Sequence, residues 1–430
     1  MATSSNTPGA RRETSATDFA PTATWETLCR RAQWLKRLRS FFDEQGFVEV
    51  ETPLLSADTV VDRHLDPIPV TLFTDPREPE VGDRFFLQTS PEFGMKRLLV
   101  SGATAIYQVT RAFRGGERGR LHNPEFTMVE WYRVGDDYAA GRQLLAELAQ
   151  RLLLVPAVES LTYADAFRRY VQLDPNEASN EALVQRAQQL GGPLPNLPLD
   201  DRDAWLNWLL AQWVEPQLGR EHPTILYDYP ASQAALAAID LGPPAVAQRF
   251  ELYVNGIELA NGYHELLDAD ALAERARVVN RERQLDGKYV LPEASRLEAA
   301  MRVGLPPCSG VALGFDRLLM VAWGAQSIDE VLAFPIERAE PVEFRSASVA
   351  LPPLAPLYCW PSREGWSVET MRAKHRQSWI ERVPTMTGII SRMGGGDRPA
   401  ARFAVKFGSM FLELFTALLL AWITAGQGRA

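Results

Sequence analysis

From Trp25 the apolar residues Leu28, Cys29, Ala32, Leu35, Leu38 and Phe42 recur at steps of three and four, the spacing of a helix that buries one face. Gly46 ends it, and Phe47-Val48-Glu49-Val50-Glu51-Thr52-Pro53 reads as a strand stopped by proline. Phe85 to Ser90 predicts another strand, and Pro91 opens a helix with Met95, Leu98 and Leu99 on one face. Ala105 to Arg114 and Glu125 to Arg133 predict two strands joined by the polar, glycine-rich stretch Gly115 to Asn123. Residues 139–225 read as mostly helical, with a break at Gly191-Gly192-Pro193, and the strand pattern returns at Arg249.

There, Phe250 to Val254 and Ile257 to Gly262 flank Asn255-Gly256, the strongest short hairpin signal. Helices follow, and Gly310 to Gly314 predicts a short strand running into a helix over 315–323. No internal repeat is visible. Antiparallel strands interleaved with helices make the fold class α+β rather than a doubly wound parallel sheet.

Composition narrows the possibilities. Of 430 residues 46% are hydrophobic, enough for one large core or two modest ones. A net charge of −9 argues against a chain built to wrap nucleic acid, because phosphate contacts dominate that affinity. Cys29, Cys308 and Cys359 lie far apart, without the spacing of a disulfide framework or a zinc site. No charged start leads into an apolar run, so the expected location is the cytoplasm.

The two ends read differently from the middle. Residues 1–24, rich in Ser, Thr, Ala and Pro, are expected to form a disordered tail. Residues 340–430 form an extension of unknown role in which little order is expected before a helix near 404–424. Its apolar run Phe407 to Thr424 is interrupted by Glu413 and falls short of the roughly 20 residues a membrane span needs. Packing on the core or on a partner is therefore preferred to a membrane anchor.

If Asn255-Gly256 is a two-residue turn, Val254 pairs with Ile257, Tyr253 with Glu258 and Glu251 with Ala260. Glu251 and Glu258 then share a face as diagonal neighbours, roughly 7–8 Å apart at the backbone. They are either two solvated glutamates on an open face or a pair holding Mg²⁺, which commonly divides its coordination between carboxylates and nucleotide phosphates. Arg114 ends a strand before a loop of glycines and cations, and Arg317 lies near the start of a helix. Each is a surface ion pair or a phosphate clamp. Neither GxxxxGK[ST] nor GxGxxG occurs, so a nucleotide site must use other means.

Gly46 to Pro53, Phe113-Arg114 through His122-Asn123-Pro124-Glu125-Phe126-Thr127-Met128, and Gly310-Val-Ala-Leu-Gly-Phe-Asp-Arg317 resemble, in order, the three motifs of class II aminoacyl-tRNA synthetases. Thr89-Ser90-Pro91-Glu92 and Glu258-Leu-Ala-Asn-Gly-Tyr-His-Glu265 add to the resemblance, which spans a catalytic domain over residues 25–339. Within that class the chain most resembles lysyl-tRNA synthetases and, more closely, their truncated paralogues, the elongation factor P β-lysine ligases. The resemblance implies that Arg114 contacts the α-phosphate and Arg317 the γ-phosphate of ATP, with Gly115, Gly116, Asn123, Glu258, Leu259 and Gly314 also at the nucleotide. It implies Mg²⁺ on Glu251 and Glu258, and an amino-acid pocket of Ser90, Pro91, Glu92, Tyr132, Asn261 and Glu265. Glu92 and Glu265 would then take two ammonium groups, one at each end of the pocket. His122, His264, Phe126 and Trp131 read as positioning or packing residues.

Three departures from the synthetase pattern separate the two relatives. The roughly 24 residues before the first helix fall short of the roughly 50 that an anticodon-reading domain needs. Ala260 and Ala312 stand where the synthetases have glycine, and Ser90 where they have alanine. The second motif runs Arg114-Gly115-Gly116-Glu117, its glutamate one residue late, so either Gly116 or Glu117 faces the adenine. The expectation is a homodimeric ATP-dependent ligase that activates β-lysine and transfers it to a lysine of elongation factor P. An enzyme charging tRNA or a small amine, and a non-catalytic binding module, are the alternatives.

Overall fold

The computed structural model describes residues 19–192 and 194–339. Residues 1–18 of the expected tail and the extension from residue 340, with its expected helix, lie outside the described residues. The end of the expected 1–24 tail is not disordered: the Thr22 and Ala23 N–H groups donate to Ala333 O and Leu332 O, and Ala23 is buried. The chain opens with α1 (Trp25–Glu44), β1 (Val48–Glu49), β2 (Leu55–Ser56), β3 (Ile68–Phe73), β4 (Gly82–Leu87), α2 (Glu92–Val100), β5 (Ala105–Phe113) and β6 (Glu125–Val134). It continues through α3 (Tyr138–Leu153), β7 (Glu159–Thr162), α4 (Tyr163–Ala166), α5 (Asn180–Leu190), α6 (Arg202–Leu209), β8 (Thr224–Pro230), β9 (Ile239–Asp240), β10 (Val246–Val254) and β11 (Ile257–His264). Last come α7 (Ala269–Leu285), α8 (Ser295–Gly304), β12 (Cys308–Gly314), α9 (Phe315–Trp323) and α10 (Ile336–Ala339).

Nine strands form the main sheet, in the order β1-β5-β6-β12-β11-β10-β8-β7 with β9 beside β10. Every pairing in it is antiparallel except β1 with β5 and β7 with β8. This is the expected α+β class. The small sheet β2-β4-β3 stands apart from it.

Local chemistry explains most of the boundaries. Thr24 caps α1 by accepting the Thr27 N–H at 3.1 Å. Gly46, at φ +76°, turns the chain out of the helix, as its lack of a Cβ allows. The strand expected over Phe47 to Pro53 shrinks to Val48–Glu49 at the sheet edge, where proline can supply no further N–H. The region expected to be helical through residue 225 includes two strands, β7 and β8. Between them α4, α5, α6 and the helical turns Phe167–Val171 and Leu210–Val214 build a second core around Phe167, Trp205, Leu206 and Leu209.

The main core lies on one face of the sheet, where Tyr107, Trp131, Val311 and Phe250 from four strands meet Leu38 and Phe42 of α1, Leu145 and Leu148 of α3, and Leu319 of α9. Helix α2 packs near the opposite face with α8, through Phe93, Met95, Leu99, Leu297 and Met301. What those helices leave open on that face is the floor of a cleft. Among the described residues no helix is long and apolar enough to cross a membrane.

Candidate active site

Strand register builds the floor. Gln108, Glu130, Ala312, Asn261 and Glu251 stand opposite one another across β5, β6, β12, β11 and β10. Two residues along, Ile106, Tyr132, Gly310, Tyr263 and Arg249 form a second row on the same face. The intervening row, Tyr107, Trp131, Val311, Gly262 and Phe250, points into the core, as the period of two requires. Gly310 is needed where it stands: a Cβ there would lie 2.5 Å from Oε1 of Glu265 and collide with the Tyr132 ring.

The hairpin forms as expected, with Asn255 and Gly256 at φ +52° and +75°, a turn of two left-handed residues. Val254 pairs with Ile257 and Tyr253 with Glu258, but Glu251 pairs with Asn261, not Ala260. A bulge at Leu259 shifts the register, and it brings Glu258 and Asn261, three residues apart, onto one face. Ala260 packs in the main core and borders the cleft from there, whereas Ala312 stands in the floor row itself.

At one end of the cleft the polar side chains are mostly hydrogen-bond acceptors. Ser90 Oγ donates to Glu130 Oε2 at 2.7 Å and the Tyr132 hydroxyl to Glu130 Oε1 at 2.7 Å. Burial, and then the charge of Glu92, push the Glu130 carboxyl up to about 8. Glu92 and Glu265, expected at opposite ends of the pocket, instead meet on one cation: Lys96 Nζ lies 2.5 Å from Glu92 and 2.6 Å from Glu265. Glu92 and Lys96 are one helical turn apart on α2, which forces their side chains together. Burial raises Glu265 to about 7 against the pull of Lys96. Its Oε1 and the Oδ1 of Asn261 are buried without a hydrogen-bond partner. Orphaned acceptors of this kind call for a ligand rich in N–H donors.

The other end carries the arginines. Arg114 lies over the Phe126 ring at 5.0 Å and 3.7 Å from Glu117, with its Nε buried and unpartnered. Arg317 donates to His122 Nε2 at 2.6 Å, to Glu258 O at 3.1 Å and to Leu121 O at 3.2 Å. Burial and the charge of Arg317 lower the pKa of His122, so its ring stays neutral and can accept. The helix start that carries Arg317 is itself pinned: Asp316 accepts the Thr127 N–H at 2.7 Å and pairs with Arg31 of α1 at 2.6 Å.

Glu251 accepts from the hydroxyls of Tyr229 at 2.5 Å and Tyr253 at 2.6 Å and is ion-paired with Arg249. Glu258 sits beside Arg317 at 3.7 Å, its carboxyl raised by burial and then by Glu251. A third acid joins them: burial and the charges of Glu251 and Glu258 raise Glu215 to about 7, and Tyr253 reaches it at 3.3 Å. Among the described residues no group of three or more His, Cys, Asp or Glu is arranged to hold a metal by itself. Two oriented carboxylates nonetheless fit Mg²⁺, which keeps few protein ligands and shares the rest with phosphates. Glu251 and Glu258 would hold it, and it would neutralise phosphate charge there.

Of the residues expected at the site, Ser90, Glu92, Arg114, Asn123, Tyr132, Glu251, Glu258, Leu259, Asn261, Glu265, Gly314 and Arg317 line one cleft of about 1720 Å³. Pro91, Gly115 and Gly116 do not. Pro91 heads α2, the Gly115 N–H goes to Asp66 O at 2.6 Å, and Glu117 rather than Gly116 faces the cleft. Asn123 is occupied structurally: its Nδ2 donates to Glu125 O at 2.6 Å and its Oδ1 accepts the Ile336 N–H at 2.9 Å. Sequence reading missed Glu130, Lys96 and Glu215. The first two had signals, Glu130 as the same-face neighbour of Tyr132 and Lys96 at the i+4 position from Glu92.

An antiparallel sheet carrying an arginine-rich end and an acceptor-lined end on one face is the architecture of a class II synthetase core. The family model for tRNA synthetases class II (D, K and N) matches residues 9–338, and the chain belongs to that family. Its members are ligases that activate an amino acid at the expense of ATP with Mg²⁺.

Proposed function

We propose that this chain activates β-lysine as an adenylate and transfers it to a lysine side chain of elongation factor P. The observation that carries the reading is the acceptor-lined end of the cleft, where Glu265 Oε1 and Asn261 Oδ1 are buried and unpartnered beside the hydrogen-bonded carboxyl of Glu130. A substrate that satisfies it brings two ammonium groups. Ser90 and Ala312 meet at Glu130, one through a hydrogen bond and one as its cross-strand partner. A hydroxyl and a methyl there, in place of a methyl and a hydrogen, reshape the floor beneath the amino-bearing carbons. That is where β-lysine differs from α-lysine.

The reaction has two steps. The substrate carboxylate attacks the α-phosphorus of ATP beside Arg114, and pyrophosphate leaves toward Arg317. The free ε-amine of the acceptor lysine then attacks the acyl carbon, AMP departs with its phosphate oxygen, and the amine's extra proton is lost to solvent. Positioning and electrostatic stabilisation by the two arginines suffice, without a general base on the protein. The cleft exceeds the roughly 300–1,000 Å³ of an ordinary ligand pocket, which suits a nucleotide, an amino acid and an entering side chain together. The same reading makes the chain a homodimer through α1 and β1, where Trp25 and Val48 are exposed.

ATP–pyrophosphate exchange with β-lysine, α-lysine and no amino acid tests the first step, and mass spectrometry of elongation factor P after incubation tests the second. Exchange is expected to favour β-lysine, with one lysyl mass added to the factor. Unmodified factor beside efficiently charged lysine tRNA would overturn the reading.

A further inference from the structure

Lys96 is 2% exposed, and the mechanism above does not use it. An ammonium this deep is costly unless paired, and it is paired twice, with Glu92 and with Glu265. Those two carboxylates belong to the acceptor end of the cleft, so the protein has already placed one ammonium of its own where a substrate ammonium could go. Glu265 divides its oxygens: Oε2 faces Lys96, and Oε1 has no partner and lies against Gly310 on the floor.

We propose that Lys96 is a specificity-determining positioning residue, a fixed ammonium that fills the innermost cation position between Glu92 and Glu265. It stops the substrate's terminal ammonium at the outer oxygen of Glu265. The depth of that stop sets how far the substrate carboxylate reaches toward Arg114, and therefore which chain length presents its carboxylate to the α-phosphorus. Lys96 acts as a ruler for the diamino acid, with Glu92 holding the ruler in place through its single-turn ion pair. This inference rests on the proposed reading of the cleft as a diamino-acid site and adds to it the residue that measures the substrate.

The experiment compares wild type with Lys96→Ala and Lys96→Met in pyrophosphate exchange, using lysine isomers and their homologues one methylene longer. In Lys96→Ala the vacated position admits the substrate ammonium one step deeper. With the normal-length substrate kcat is expected to fall about tenfold or more while KM changes less, as misplacement of reacting atoms dictates. Relative kcat/KM for the longer homologue rises by about the same factor. Added ethylammonium refills the position and reverses both effects, whereas ethanol does not. Lys96→Met keeps the volume of the stem, so activity falls without a change of length preference. A Lys96→Met enzyme with wild-type kcat and KM, or a Lys96→Ala enzyme that loses all substrates in proportion with no response to ethylammonium, would overturn the proposal. Should wild type activate neither lysine isomer, the proposed function fails on its own account. Lys96 is then judged by melting temperature: ethylammonium stabilises Lys96→Ala and leaves wild type unmoved if the position is an ammonium slot, and an equal response in both proteins refutes it.

Discussion

Glu251 on β10 stands directly opposite Asn261 on β11, and the bulge at Leu259 that produces this register also keeps Glu258 on the same face. The two glutamates differ in what holds them. Glu251 is tied by Arg249, Tyr229 and Tyr253, whereas Glu258 borders the open cleft. Glu258→Gln should abolish pyrophosphate exchange, by at least about a hundredfold, with the melting temperature unchanged. Glu251→Gln should abolish exchange as well, and should also destabilise the fold by about 1–3 kcal/mol, because it leaves the partners of a buried carboxylate short of an acceptor. Near-normal exchange in both variants would sink the metal assignment.

The hydrogen bond from Ser90 to Glu130 sets up a second test. Ser90→Ala removes the only hydroxyl of the Thr89-Ser90-Pro91-Glu92 turn that touches the floor, and Glu130 loses one of its two donors. KM for β-lysine should rise by up to about tenfold, the loss expected for one net hydrogen bond, while α-lysine is affected less. Equal losses for the two isomers would show that Ser90 does not read the position of the amino group.

The acid cluster makes both stability and binding depend on pH. Glu130 is raised to about 8 and Glu265 to about 7 in the folded chain, against about 4.3 for a free glutamate. Between about pH 5 and 8 the folded state therefore holds protons that the unfolded state has released, so stability falls as pH rises through that window and levels off above it. A cationic substrate needs these carboxylates ionised, so its KM should fall as pH rises from about 6.5 to 8.5. Glu130→Gln should flatten the upper part of both profiles, in melting temperature and in exchange kinetics. An unchanged slope would place the titrating group elsewhere.

Asn123 joins the loop after Arg114 to the last described helix by accepting the Ile336 N–H. Asn123→Ala leaves that N–H and the Glu125 carbonyl unsatisfied and should cost about 1–3 kcal/mol, read by chemical denaturation. Truncation after residue 339 keeps this contact and every described residue of the cleft, so adenylate formation should persist in the shortened protein. Loss of exchange in a folded truncation would make residues 340–430 part of the catalytic unit.

Short-range physics left its mark on the linear pattern. Steps of three and four from Trp25, the Asn255-Gly256 turn, and the strands on either side of Gly115 to Asn123 all depend on neighbours a few residues away, and each element formed where that spacing placed it. Arg114, Arg317, Glu251 and Glu258 were legible as a group because three motifs occurred in order, and all four line one cleft. Strand β8 was not legible: its Thr-Ile-Leu-Tyr run lies within a mostly helical stretch, and only pairing with β10 and β7 makes it a strand. The bulge at Leu259 likewise lies in the pairing of β11 with β10, while β12 pairs with β11 from Ala260 onward, and the Asn255-Gly256 turn alone did not place it. Tertiary structure alone decided that Ala260 faces the core and that Glu92 and Glu265 converge on Lys96. Each of these is a relation between segments distant in the chain, set by sheet register and by the cost of burying a charge without its partner.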